Sequence, residues 1–85
     1  MTRIARLNAA MLANPRAALS FRDFERLLVA YGFRLERIKG SHRQYLHPAV
    51  GRTLPIQPES GDAKRYQVRQ FLDMIEEYGL SMKHD

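Results

Sequence analysis

The 85-residue chain has no cysteine, which excludes a disulfide framework, a thiolate metal site and a cysteine nucleophile, and suits a reducing compartment. Its histidines are few, and His42, His47 and His84 are not set at metal-ligand spacing, so no bound metal or cofactor is expected. No apolar run approaches the ~20 residues that span a bilayer, and the N-terminus lacks the continuous apolar stretch of a secretory signal. A soluble, cytoplasmic protein with no membrane partner is the expectation. Internal repeats, low-complexity tracts and linkers are missing too, and the length suits one small domain with a modest core, residues 1–85.

Acid is scarce where base is plentiful. The chain carries 14 Lys and Arg against 9 Asp and Glu, a net charge of +5, which makes it a candidate for a polyanionic partner. No acid precedes Asp23, and Arg34 to Arg52 holds five cations against Glu36 alone, while Asp73, Glu76 and Glu77 gather near the end. A solvated, mixed-charge surface accounts for the same count.

Apolar spacing divides the chain into elements. Ile4, Leu7 and Met11 recur at helical spacing between Thr2, a candidate N-cap, and Asn14-Pro15, a stop. Ser20 followed by Asp23 resembles a capping box, and opens a helix whose Phe21, Phe24, Leu27, Leu28 and Tyr31 share one face before Gly32. Phe33 to Lys39 and Arg43 to His47 alternate as two strands around a reversal at Gly40, with Leu35 and Arg37 expected on one face and Arg34, Glu36 and Ile38 on the other. Thr53 to Gln57 reads as a third, short strand limited by Pro55 and Pro58. A last helix is expected from about Ala63, capped by Asp62 or Ser60, burying Val68, Phe71, Leu72, Ile75 and Tyr78 and ending at Gly79. The order is α-α-β-β-β-α, an α+β meander with its two longer helices on one sheet face and the other face open.

Two places invite chemistry. Gly40-Ser41-His42 sets an imidazole on a tight turn among cations, where a group that trades protons near neutrality can act as general acid or base. The plain alternative is a surface-turn histidine with no task. Lys64 and Arg65 stand at the positive end of the last helix, a placement the helix dipole disfavours unless an anion relieves it or solvent screens it.

Gly32-Phe33, a basic strand, Lys39-Gly40-Ser41-His42, Tyr45, His47-Pro48 and the segment Ala63 to Leu72 together resemble the HicA family of bacterial toxins, from about Ser20 to Leu80. The resemblance implies a double-stranded-RNA-binding-like α-β-β-β-α fold with a three-stranded antiparallel sheet. Residues 20–80 would form its core and residues 1–15 an added N-terminal helical extension. It further implies the toxin of a type II toxin-antitoxin system, an mRNA interferase that cleaves messenger RNA without metal, with His42 catalytic. The partner it implies is a HicB-type antitoxin covering the active site.

On that reading the 2′-hydroxyl attacks its own phosphate, His42 serves as base or acid, Lys39 and Arg43 stabilise the developing charge, and Ser41 orients the group. Tyr45 stacks on an unpaired base or packs on the sheet, and Lys64 and Arg65 hold a flanking phosphate. His47 takes a structural or substrate-facing role, and His84 none. Two competing readings are a non-catalytic RNA-binding module using the same basic loop and helix end, and a subunit whose basic face meets an acidic protein.

Overall fold

The computed structural model describes residues 2–83. Helix α1 (Arg3–Ala13) starts where the Thr2 hydroxyl accepts from Ala5 N–H at 3.1 Å and stops at Asn14. Helix α2 (Phe21–Ala30) is capped by the Ser20 hydroxyl, which accepts from Asp23 N–H at 3.1 Å. Its exit is a Schellman turn: Gly32 N–H donates to Val29 C=O and Phe33 N–H to Leu28 C=O, both at 2.9 Å. Gly32 holds φ +95°, and a Cβ there would lie 2.7 Å from Lys83 Cε and 3.1 Å from His47 Nε2. Turn conformation and close packing both select glycine.

Strands β1 (Arg34–Lys39), β2 (His42–Leu46) and β3 (Thr53–Ile56) form one antiparallel sheet in that order. Gly40, at φ +61°, opens the two-residue β1–β2 turn as the first central residue of a II′-type hairpin would. The register runs Arg34–Leu46 and Leu35–Tyr45, then slips past Glu36 to Arg37–Gln44, Ile38–Arg43 and Lys39–His42. That β-bulge corrects the strict alternation expected of β1. Leu35 and Ile38 share the helix side, and Arg34, Arg37 and Lys39 share the open side.

The stretch after β3 also departs from expectation. Instead of a loop and cap, Pro58–Glu59 (β4) and Asp62–Ala63 (β5) pair as a short ribbon around Ser60-Gly61, whose φ values of 51° and 83° suit a I′-type turn. The ribbon docks on the start of α2, with Phe21 N–H donating to Gly61 C=O and Ala63 N–H to Leu19 C=O. Asp62 is spent in that pairing, so helix α3 (Arg65–Tyr78) begins at Lys64 with no side-chain cap.

Helix α3 packs on β3 and α2 beside β2, which buries Leu54 and Ile56 of the sheet together with Phe24, Leu27, Leu28 and Phe33. Phe71 is the hub, meeting the rings of Phe24, Tyr31 and Phe33 edge-on at 5.8, 5.1 and 5.8 Å. Met74 and Gln67 are buried where Tyr78 was expected, because the inward face of α3 is centred on Phe71; Leu72 and Ile75 are partly covered and Tyr78 is exposed. Gln67 is tolerated inside because its Oε1 accepts from Gln57 N–H at 3.0 Å, satisfying a backbone donor just past β3. Helix α1 is tied to the core through buried Met11 and a 2.6 Å bond from the Tyr31 hydroxyl to Asn8 Oδ1.

Gly32→Ala should destabilise the fold by about 1–2 kcal/mol from backbone conformation alone, with packing against His47 adding to it. Gly51→Ala, where a Cβ meets open space, should stay within about 0.5 kcal/mol of wild type. Urea unfolding of the pair checks this, and equal midpoints would refute the account of the α2 exit.

Candidate nucleic-acid interface

The tight turn delivers His42 as the first residue of β2, directly opposite Lys39, the last residue of β1, with Ser41 between them; all three are exposed. Opposed residues in an antiparallel pair share a face, so His42 and Lys39 stand on the open side of the sheet. Arg37 and Arg34 continue that side along β1, beside Gln44 and Leu46. The result is a histidine at one end of a row of three cations, on a face that none of the described helices covers. Arg34 and Arg37 were not singled out from the sequence as site residues. Their odd spacing places them on opposite faces of a regular strand, and only the unpaired Glu36 brings them together.

Arg43 and Tyr45 do not join this group. One residue and three residues beyond His42, they fall on the other face. There Arg43 Nη1 donates to Glu25 Oε1 and Oε2 at 2.9 and 2.7 Å, and the Tyr45 hydroxyl donates to Glu25 Oε2 at 2.6 Å. The Arg43 guanidinium also lies 5.7 Å from the centre of the Phe21 ring. Tyr45 is 4% exposed, so the expected stacking on a base gives way to the packing alternative. The bond to Glu25 raises the Arg43 pKa further. Burial, then the same carboxylate, pushes the Tyr45 phenol well above its usual range. This acid on α2 is invisible as a partner in sequence, since Glu25 is 18 residues from Arg43.

Lys64 and Arg65 lie apart from the hairpin turn, at the start of α3, where the first turn carries no acid. His47 has a structural position: its ring meets Phe33 edge-on at 5.1 Å, its Nδ1 accepts from Ala49 N–H at 3.0 Å, and it packs over Gly32. The expectation for His84 lies outside the described residues. Among the described residues no three His, Asp or Glu side chains gather as a metal-ligand set, and no helix is long and apolar enough to cross a membrane.

The architecture is that of a small α+β domain in which an α-β-β-β-α core presents an open, basic sheet face with a histidine at a hairpin end. The family model described as HicA toxin of bacterial toxin-antitoxin matches residues 21–80, and the chain belongs to that family, whose members are toxins paired with a cognate antitoxin. No curated protein and no solved structure matches the chain. Helix α1 and the segment up to Ser20 precede the matched residues.

The phenol–carboxylate contact makes a prediction at alkaline pH. Unfolded tyrosines lose their protons near pH 10.0, whereas folded Tyr45 holds its proton to higher pH. The folded state therefore binds more protons in that range, and stability should fall as pH rises above about 10. Tyr45→Phe should lose roughly 1.5–3 kcal/mol at neutral pH and show a shallower alkaline decline, the remainder coming from Tyr31, whose phenol burial also raises. Urea midpoints between pH 7 and 11 test it; parallel declines for both proteins would refute it.

Proposed function

We propose that this toxin is an endoribonuclease that cleaves messenger RNA, with His42 as its proton-transfer group. The observation that carries the reading is the placement of an exposed imidazole opposite Lys39 and in line with Arg37 and Arg34 on the uncovered sheet face. A phosphodiester laid on this face meets a base and a row of cations at once. In the reaction the 2′-oxygen bonds to the adjacent phosphorus as the bond to the 5′-oxygen breaks. The 2′-hydroxyl gives up its proton, and the departing 5′-oxygen gains one. His42 takes the first proton or supplies the second, a role general acid–base catalysts fill with about 10²–10⁴-fold effect.

Negative charge grows on the non-bridging oxygens in the transition state, and Lys39 with Arg37 is placed to stabilise it without the reorganisation that water would need. Ser41, in the turn, has a hydroxyl and a backbone N–H for the same phosphate. No step requires a metal. Arg43 acts one layer down: held by Glu25, it fixes α2 against β2 behind the turn. Lys64 and Arg65 hold phosphates elsewhere on the strand. The work is done in the bacterial cytoplasm, and a HicB-type antitoxin silences it by covering the His42 face.

The test incubates purified protein and His42→Ala with messenger RNA in the presence of a metal chelator, followed on a denaturing gel. Fragments are expected from wild type, at a rate about 10²–10⁴-fold above that of the variant. The exposed turn makes the substitution nearly neutral for stability, within about 0.5 kcal/mol. Intact RNA in both lanes from folded protein would replace the enzyme reading with a non-catalytic RNA-binding module.

A further inference from the structure

A second feature lies on the helical side of the molecule, where the chain leaving α1 passes the first turns of α3. Asn14, Pro15 and Arg16 form one wall of a cleft of about 720 Å³, and Arg65, Tyr66, Arg69, Leu72 and Asp73 form the other. Three guanidiniums face one carboxylate there, and among the described residues none of the three lies in an ion pair with an acid. One carboxylate among three like charges leaves the cleft net positive, and an anion in it would relieve the remaining repulsion.

The cleft also holds an aromatic ring that the core does not use. Tyr66 is 59% exposed, yet its hydroxyl accepts from Gln67 Nε2 at 3.3 Å, and Gln67 is itself buried and bonded to the backbone past β3. The ring is thus anchored at its rim from inside the protein while the rest of it meets solvent. A fixed aromatic surface flanked by arginines matches the two parts of an unpaired nucleotide, a base that stacks and phosphates that take guanidinium hydrogen bonds. A duplex keeps its bases stacked on one another, and an acidic peptide would use the charges but leave the ring idle.

We propose that this cleft binds single-stranded RNA, with one base stacked on Tyr66 and the flanking phosphates held by Arg16, Arg65 and Arg69; the proposal rests on the RNA-cleaving function proposed above. One wall belongs to residues 14–16, outside the family-matched 21–80, so the added helix gains a task. Anchored by Met11 and the Asn8–Tyr31 bond, it completes a grip on substrate at a place separate from the His42 face. The cleft holds the strand and leaves the chemistry to His42.

Fluorescence anisotropy with a labelled single-stranded oligoribonucleotide, 2′-O-methylated throughout so that it cannot be cut, tests this apart from cleavage. Tyr66→Ala should weaken binding about 5- to 150-fold, the range for loss of one base stack, and Tyr66→Phe, which keeps the ring but loses the bond to Gln67, should recover most of it. Arg16→Ala with Arg69→Ala should lower the slope of log affinity against log salt by about 1.4, as expected for two phosphate contacts on a single strand. Arg26→Ala, which removes one charge from α2, should shift affinity no more than about twofold, and circular dichroism should show all variants folded.

Wild-type affinity in Tyr66→Ala and in the arginine pair, from a protein that still cuts messenger RNA, would overturn the cleft and leave the nuclease standing. Loss of affinity in the arginine pair alone, with the same RNA as a duplex bound equally well, would overturn the base-stacking assignment. A poly-glutamate peptide bound in a Tyr66-dependent way would assign the cleft to an acidic protein instead. A wild type that neither binds nor cuts RNA would remove the function on which the proposal rests.

Discussion

Between Leu35 and Arg37 the first strand of the sheet carries one residue more than its neighbour opposes, and Glu36 is left over. The local distribution of charge depends on that extra residue. In a regular strand Arg34 and Arg37 face opposite ways, so half of the basic character of β1 would be turned toward the helices and Leu35 and Ile38 would be split between faces. The slip collects Arg34, Arg37 and Lys39 on the open face and sets His42 across from the last of them. It also bends an exposed edge strand whose apolar residues, Leu35 at 42% and Ile38 at 54% exposure, would otherwise invite unwanted pairing.

Behind that face, Glu25 decides which cations remain free. Arg43 follows His42 in the chain and the sequence counts it with that residue, but it is engaged by a carboxylate that also takes the Tyr45 hydroxyl. A partly buried carboxylate with three such bonds ties α2 to the middle of the sheet and removes Arg43 from competition for an outside anion. Guanidiniums outside any ion pair among the described residues include Arg34 and Arg37 on the open face and Arg65 and Arg69 at the start of α3. The two regions are built by different elements, the β1–β2 hairpin and the start of α3.

Much of this was legible without coordinates. Thr2, Ser20 and Gly32 marked helix ends because each supplies a local need, a hydroxyl for an orphan N–H or a positive φ. The inward face of α2 followed from the spacing of Phe21, Phe24, Leu27, Leu28 and Tyr31, and the hairpin from Gly40 between alternating segments. Less was legible in α3, where Gln67 does not look like a core residue until a strand end offers it an unsatisfied N–H. The Pro58–Ala63 ribbon was hidden as well, because Glu59-Ser60-Gly61-Asp62 suits a helix entrance and a hairpin turn equally.

Sequence alone determined the three helices, the three-stranded meander and the histidine at its first turn, because capping, helical periodicity and turn conformation are decided within a few bonds of the chain. It also carried the family, through an ordered series of short motifs. Tertiary structure decided which residues lie together. A bulge has no signature in composition, and the partner of Arg43 is 18 residues away. The cleft around Tyr66 needs the end of α1 laid against α3, a contact between segments some 50 residues apart in the chain. Strand register and long-range charge pairing are set by the sum of the packed core, and only the folded chain evaluates that sum.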